Sequence, residues 1–425
     1  MSAAALSDLD DRLGTLLASE PEAMADPYPL YADLREAGPT HRHGSIVFVT
    51  RFREAKAVFL DHRRYSNHTT RGSRTEEALA RMAAEEREAF HAVSDFEAMY
   101  VSRSDGAQHE RLRRIGHRAF TPRRIAALRD RLQQYTDDLL GQARDEAVGG
   151  IADLMPFAYR LPLMAIADML EVPAADRETI HRWSGIIGEN RRGVDPRTLL
   201  PALRAIEEFG AYIREMVAER RTAPRESDLV RLLLDAEGED VLTEDELTAM
   251  FVVLLFAGHE TTTNLLGTGI RDLLAHPDQW RRLCDDPGSA EEAVEELLRF
   301  VNPTQWAWRV AGEDVEIAGL PVDAGTTVGV MIGAANRDPR AFDRPDELDL
   351  ARAEARKHLA FGLGVHFCLG NALARLEGEV AFGTIARRFP ELKLATDTFG
   401  WRGNAMFRSL TALPVRLGRD RGGAA

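Results

Sequence analysis

The most informative stretch of this sequence is Phe361-Gly362-Leu363-Gly364-Val365-His366-Phe367-Cys368-Leu369-Gly370. Its glycines permit positive φ angles and a close approach of the backbone to a flat ligand. Cys368 stands directly before Asn371–Arg388, which reads as a helix. The dipole and free N–H groups at a helix N-terminus stabilise a thiolate and tune its electron donation to a metal. The alternative is a buried structural cysteine beside a glycine-rich turn.

Composition excludes several classes of protein. The 425 residues carry a net charge of −14, which argues against general nucleic-acid binding because that needs a basic face. Cys284 and Cys368 are the only cysteines, so a disulfide framework and a four-cysteine zinc or iron–sulfur site are excluded, and a reducing, cytoplasmic location is expected. The N-terminus lacks a secretory pattern, and the apolar run Ala249–Gly258 is too short to span a membrane, so no membrane anchor is expected.

Most of residues 105–300 has helical periodicity. One helix is predicted to begin at Thr243, which forms a capping box with Glu246, and to continue to about His276, before Pro277. Its length and apolar character predict a buried central helix. Further helices are predicted over Arg124–Ala147 and Thr198–Arg221.

Strand signals are sparse, and the pattern predicts a mainly α fold with small β-sheets. No convincing boundary divides the chain, so residues 1–425 are predicted to form a single domain, with 1–20 and 418–425 flexible at its ends. The predicted strands are Ser45–Val49, Val315–Ile317, Thr326–Val330 and a strand pair within residues 405–416.

The cysteine stretch resembles the haem-binding signature of the cytochrome P450 family, Phe-Gly-x-Gly-x-(His or Arg)-x-Cys-x-Gly, at every fixed position. Weaker similarities extend over about residues 26–416 and look most like the soluble bacterial branch. The resemblance implies the cytochrome P450 fold, with the long central helix over heme b (iron protoporphyrin IX). It also implies that Cys368 is the axial thiolate ligand of the iron. The other residues of this stretch assigned to the cofactor are Phe361, Gly362, His366 and Gly370.

Glu296 and Arg299 are three residues apart on a predicted helix and can pair on one face. Taken alone, they would be a solvated surface pair. The resemblance instead places them in a buried structural cluster, with Arg352 as the third member.

The segment Ala257-Gly258-His259-Glu260-Thr261-Thr262 interrupts the apolar central helix. The resemblance makes Glu260 and Thr261 an acid–alcohol pair that delivers protons to bound dioxygen, and Ala257 a cofactor contact. The alternative is polar packing between helices. His259 is interpreted as a neighbour only.

The anionic cofactor needs cationic partners. His109 and Arg113 are four residues apart and share a helical face. By resemblance these two, together with Arg309, His358 and His366, hold the haem propionates.

The substrate pocket is expected to be mainly apolar. Trp306 and Trp308 could stack on an aromatic substrate, or could equally belong to the core. The segments 97–101 and 186–190 are further candidates. Specific substrate contacts are assigned by resemblance to Val253, Trp306, Met406 and Phe407.

Residues 101–131 carry nine arginines against three acids. This local excess predicts a docking surface for an acidic redox protein, although a solvated helix face would look the same. No flavin or ferredoxin module fits inside the chain. Separate donors are therefore expected, a ferredoxin-type protein with an NAD(P)H reductase, serving a monomer.

The leading interpretation is a haem-thiolate monooxygenase that hydroxylates or epoxidises a small apolar or natural-product substrate. One alternative is a cytochrome P450 that couples aromatic groups oxidatively. An alternative from another class is a non-catalytic haem- or ligand-binding helical protein, although the intact Glu260–Thr261 pair argues against it.

Overall fold

The computed structural model describes residues 3–190, 196–222 and 242–422, and it confirms a mainly α fold with small sheets. The helices in chain order, α1 to α17, are Ala3–Leu17, Pro21–Ala25, Tyr28–Ala37, Phe52–Leu60, Ser73–Leu79, Ala84–Glu97, Gly106–Ala119, Pro122–Ala126, Arg129–Asp145, Met155–Met169, Arg177–Asn190, Pro196–Thr222, Glu244–Ala275, Pro277–Asp285, Ala290–Val301, Ile332–Ala335 and Asn371–Arg388.

The central helix α13 organises the helical core. The Thr243 hydroxyl accepts from the Glu246 N–H, and the Glu246 carboxylate accepts from the Thr243 N–H, which is the predicted capping box. Two glycines let neighbouring helices approach closely, since a Cβ on Gly267 would lie 2.7 Å from Met155 Sδ and one on Gly269 would lie 2.8 Å from Phe382 Cζ. Helix α13 is long and apolar enough to cross a membrane, but most of it is buried inside the protein, as in the core helix of a soluble protein.

Four small sheets flank the helices in the described part of the chain. The largest has the order β1-β2-β8-β5-β3, in which β2 and β8 are parallel and the other neighbours are antiparallel. The others are β10-β11, β4-β12-β9 and β6-β7. The strands β1 to β12 are Thr40–His43, Ile46–Val49, Tyr65–Ser66, Ile151–Asp153, Ala307–Ala311, Val315–Ile317, Leu320–Val322, Thr327–Val330, Lys393–Leu394, Trp401–Gly403, Arg408–Leu410 and Pro414–Arg416.

The expectation of a flexible N-terminus is wrong for the described residues. Helix α1 buries Leu13 and Leu16 completely, and the carboxylate of Asp10 bonds His41 and His43. An apolar stripe hidden among acidic residues therefore docks this segment onto the sheet side of the molecule.

Two other local expectations are also corrected. At the C-terminal end, Asp420 lies 2.8 Å from Arg388, so residues 418–422 are anchored, while residues 423–425 lie outside the described part. The strand pair expected in residues 405–416 does not form, because β11 pairs with β10, whereas β12 pairs with β4 and β9. The partners of such short strands are set by packing distant in sequence.

Candidate active site

The loop before α17 presents Cys368 to the interior. Gly362 and Gly364 adopt φ values of 65° and 73°, which side chains disfavour. A Cβ on Gly364 would also lie 3.0 Å from the Phe59 carbonyl oxygen, so this loop needs glycine to pack against α4. The Cys368 N–H donates to the Phe361 carbonyl at 2.9 Å and closes the loop.

A cavity of about 380 Å³ separates the cysteine loop from α13. Both the sulfur-bearing residue and Thr261 of the central helix line it. Most of the sequence-predicted cofactor and substrate residues lie on its wall: Arg113, Val253, Ala257, Trp306, Arg309, Phe361, Gly362, His366, Gly370, Met406 and Phe407.

The surroundings of Cys368 suit a sulfur bound to a cation. Burial raises the pKa of the thiol, and the Gly370 N–H, Arg113 and Arg375 lower it only in part. A protein that must keep this sulfur ionised therefore needs a further positive charge at the sulfur, and a coordinated metal ion supplies one.

Several buried nitrogen atoms around the cavity lack hydrogen-bond partners or bond only to a backbone carbonyl among the described residues. Arg309 is 8% exposed, and its guanidinium donates only to the carbonyl of Trp308, at 2.7 Å, among the described residues. Burial lowers the pKa of Arg309 to about 10. The Nε2 atom of His109 and the Nδ1 atom of His366 are buried without hydrogen-bond partners in the described structure. An anionic, flat group such as haem with its propionates fits this unsatisfied set.

Asp105, which was given no role in the sequence analysis, positions this cluster. Its carboxylate accepts from the Ser66 hydroxyl at 2.6 Å and from the Asn67 N–H at 3.0 Å, and lies 3.3 Å from His366 Nε2. Burial opposes ionisation, but these partners prevail and lower the pKa of Asp105 to about 2. The only local sequence signal is its position before α7, where an N-cap residue is expected.

The assignment of His358 to a propionate is corrected. The ring is buried away from the cavity wall, with Nε2 3.2 Å from Glu295 Oε2 and Nδ1 accepting from the Ala360 N–H at 3.2 Å. Because both nitrogens are occupied, His358 anchors the cysteine loop to α15. Glu295, missed in the sequence analysis, also binds Arg375 of α17 at 2.5 Å.

The predicted Glu296–Arg299–Arg352 cluster is assembled behind this loop. Glu296 and Arg299 are completely buried and joined by two hydrogen bonds of 2.7 Å. Arg352 Nε lies 3.1 Å from Glu296 Oε1. Arg299 also donates to carbonyl groups of the long loop after α16, at Asn336, Pro345 and Glu347.

The acid and the alcohol of α13 occupy different surroundings. The Thr261 hydroxyl faces the cavity and donates to the Ala257 carbonyl at 3.0 Å. The side chain of Glu260 is 26% exposed, lies off the cavity wall, and is 3.8 Å from Nε2 of the buried His259. His259 packs beside Tyr159 and His181, so it belongs to an aromatic cluster rather than to the cavity.

The cytochrome P450 family model matches residues 195–286 and 290–398. Cytochrome P450 107B1 of Saccharopolyspora erythraea is 36% identical over 95% of this chain and 98% of its own length. This chain belongs to the cytochrome P450 family. The 6-deoxyerythronolide B hydroxylase of the same organism is 38% identical over 92% of this chain and 96% of its own length.

Solved P450 structures share the fold. The Bacillus subtilis P450 PksS of bacillaene polyketide synthase matches with a TM-score of 0.81 at 34% identity, over 94% of this chain and 98% of that one. P450BioI in complex with a fatty-acyl-ligated acyl carrier protein matches with a TM-score of 0.83 at 32% identity, over 93% and 99%. The cofactor of this P450 is therefore heme b, its activity is that of a monooxygenase, and its substrates are small molecules.

Of the two tryptophans of this P450, Trp306 is a core residue, whereas Trp308 is only partly buried. Trp306 is 3% exposed and packs edge-on against Phe48, and Trp308 lies beneath the guanidinium of Arg74 at 5.0 Å. Each still contributes an edge to the cavity. Of the two candidate substrate segments, 97–101 includes Val101 on the cavity wall, whereas the side chains of residues 188–190 lie outside the described part.

Proposed function

We propose that this P450 activates dioxygen with two electrons from separate donor proteins and hydroxylates or epoxidises an apolar natural-product intermediate in the cytoplasm. The observation that carries the proposal is that Cys368 and Thr261 face each other across one largely apolar cavity. A thiolate ligand to the iron and a proton-bearing hydroxyl near the bound dioxygen are two groups that oxygen activation needs.

Residues on the cavity wall suit each part of the haem. We assign Cys368 to the iron and the Gly370 N–H to its sulfur. Arg113, Arg309 and His366 on the wall are assigned to the propionates, together with His109, which is off the wall and packs against the His366 ring at 4.0 Å. When bound, the haem supplies the redox chemistry on dioxygen, and its thiolate ligand favours cleavage of the O–O bond.

Thr261 and Glu260 are proposed to supply protons. The Thr261 hydroxyl can hold a water molecule at the cavity face of α13, while the partly exposed Glu260 carboxylate exchanges protons with solvent. A short water chain between the two side chains would carry a proton inward, because they are adjacent in sequence but in different surroundings.

The substrate class is inferred from the cavity and from relatives. Apolar side chains such as Val253, Leu254 and Phe407 dominate the wall. Among the relatives are a 6-deoxyerythronolide B hydroxylase and a polyketide biosynthesis P450, which supports a natural-product substrate here. Oxidative aromatic coupling has less support, because Trp306, one of the two tryptophans that suggested it, is packed into the core.

The electron donor is proposed to be an acidic ferredoxin-type protein served by an NAD(P)H reductase. Helix α7 packs directly against the cysteine loop, since a Cβ on Gly116 would lie 2.7 Å from Leu369 Cδ2. Its side chains Arg114 and Arg118, with Arg123 of α8, are exposed beside that contact. A negatively charged partner would thus be drawn towards the thiolate side of the haem.

The absorption spectrum of the reduced protein with bound carbon monoxide tests the assignment of Cys368 as the ligand of the iron. The wild-type protein and a Cys284→Ala control are expected to give the red-shifted Soret band typical of thiolate-ligated haem, and Cys368→Ala is expected to lose it. Persistence of that band in Cys368→Ala would refute the assignment. Product analysis with NAD(P)H, a ferredoxin and its reductase then tests oxygen insertion, for which incorporation of one labelled oxygen atom is expected.

A further inference from the structure

A smaller pocket continues the main cavity towards α5 and α6. The two cavities share four wall residues, Thr69, Arg103, Trp308 and Met406. The character of the wall changes at this junction. The main cavity is largely apolar, whereas the extension carries the side chains of Thr70, Ser94 and Glu97. One elongated ligand could therefore occupy both.

Glu97 is the most unusual group in this extension. It is the last residue of α6 and only 4% exposed. Its Oε2 atom lies 2.6 Å from Arg103 Nη1, but its Oε1 atom is buried with no hydrogen-bond partner in the described structure. An ionised acceptor left unsatisfied in this way is costly, so a donor from a ligand would be favourable here.

The charges around Glu97 restrict which ligand group can act as the hydrogen-bond donor to its Oε1 atom. The wall carries two guanidinium groups, Arg74 and Arg103, against one carboxylate. Arg74 is so enclosed that burial lowers its pKa, and Arg103 lowers it further. An ammonium group would therefore lie close to two guanidinium groups, which is unfavourable.

An anionic group suits the extension no better. It could accept from Arg103, but it would have to lie beside the open Oε1 atom of Glu97, which would repel it and remain without a donor. A neutral hydroxyl group can donate to Glu97 and accept from Arg103, so it satisfies both partners at once.

We propose that the substrate of this P450 carries a neutral hydroxyl-bearing group, an alcohol or a sugar, which donates to Glu97 Oε1 while its apolar body extends over Cys368. This inference rests on the proposed function, because it assumes that the main cavity is the site of oxidation. Glu97 then determines specificity at a distance from the reacting carbon and orients the substrate.

Spectral titration of the holoenzyme tests the proposal. The probes share one alkyl chain and differ at the end: decanol, decyl methyl ether, decanoate and decyltrimethylammonium. Each is scored by the spin-state shift that follows displacement of water from the iron.

Decanol is expected to bind wild type more tightly than its methyl ether, which cannot donate. Glu97→Leu is expected to weaken decanol binding by about tenfold or more, because a hydrogen bond to a charged group contributes about 1.5–3 kcal/mol. Binding of the ether should be unchanged.

Two variants complete the design. Glu97→Gln keeps the shape and a weaker acceptor, so its decanol affinity should lie between those of wild type and Glu97→Leu. Glu88→Leu, an exposed change on the same helix, should behave as wild type. Equal binding of decanol and its ether to wild type would refute the proposal, as would a Glu97 dependence confined to the ammonium or decanoate probe. Every variant should keep the red-shifted Soret band of the reduced protein with carbon monoxide. If the band is kept while the Glu97 dependence fails, this proposal is wrong but the proposed function still stands.

Discussion

Arg299 and Glu296 form a completely buried ion pair, joined by two hydrogen bonds of 2.7 Å and lying behind the cysteine loop. Arg299→Ala would leave the Glu296 carboxylate with Arg352 as its one cationic partner among the described residues. The expected loss in the free energy of unfolding is about 3–5 kcal/mol, measured by chemical denaturation. The matched control is Arg281→Ala, since Arg281 forms an exposed pair with Asp278 at the same spacing and should cost only about 0–1 kcal/mol. Equal losses would contradict the structural role of the cluster.

Arg309 is expected to retain the haem through its propionates. Arg309→Leu removes the charge-assisted hydrogen bond to a propionate. We therefore expect haem to transfer to apomyoglobin at least about tenfold faster than from wild type. Arg309→Lys keeps the positive charge and should fall between the leucine variant and wild type. Unchanged transfer in the leucine variant would remove Arg309 from the cofactor site.

Thr261→Ala should lower the fraction of consumed NAD(P)H that leads to oxidised product. Without the hydroxyl at the cavity face, proton delivery is expected to slow by on the order of 10²-fold, so NAD(P)H oxidation continues and yields peroxide. The control is Thr248→Ala, because Thr248 makes the same bond to a carbonyl four residues earlier, at 2.9 Å, on the same helix. Wild-type coupling of electrons to product in Thr261→Ala would show that the hydroxyl has no part in the reaction.

The basic surface beside the cysteine loop should control reduction. Arg123→Glu places a negative charge on the proposed docking face, and reduction by an acidic ferredoxin is expected to slow by about tenfold at low salt. The difference from wild type should shrink as ionic strength rises, because salt screens exposed charges. Arg281→Glu makes the same charge change outside residues 101–131 and should leave the rate unaltered. An equal effect of both reversals would indicate net charge rather than docking.

Glu377 of α17 should impose a pH dependence on stability. The side chain is completely buried, and burial raises its pKa to about 8, with the Thr262 hydroxyl opposing this only in part. Between pH of about 4.3, the ordinary pKa of a glutamate, and about 8, Glu377 is protonated in the folded protein but ionised in the unfolded chain. The free energy of unfolding therefore falls as pH rises through this range. Glu377→Gln should abolish that contribution. It is measured as the difference between variant and wild type in the free energy of unfolding at pH 6 and pH 8, and a constant difference would contradict it.

Local sequence patterns were sufficient to predict much of the fold and part of the site. The capping box at Thr243 and the stop at Pro277 sufficed for the central helix, because caps and periodicity act within a few residues. The spacing of Cys368 among its glycines likewise allowed the cysteine loop to be predicted, since backbone conformation and close approach there depend on residue type. Glu296 and Arg299 could be paired for the same reason, being one helical turn apart.

Other features were decided only by tertiary packing. His358 stands close to Cys368 in sequence, yet its two nitrogens bond Glu295 and a backbone N–H. Glu97 Oε1 has no hydrogen-bond partner among the described residues, although Arg103 lies beside Oε2 and both side chains line the same pocket. The sequence by itself placed Cys368 in a glycine-rich loop before a helix and Glu260 and Thr261 in the central helix, because such features depend on residue type and short spacing. Their roles in oxygen chemistry followed from the resemblance of these motifs to the cytochrome P450 family. Only the tertiary structure decided which polar atoms remain without partners and so which groups a ligand must satisfy, because burial and pairing depend on segments far apart in the chain.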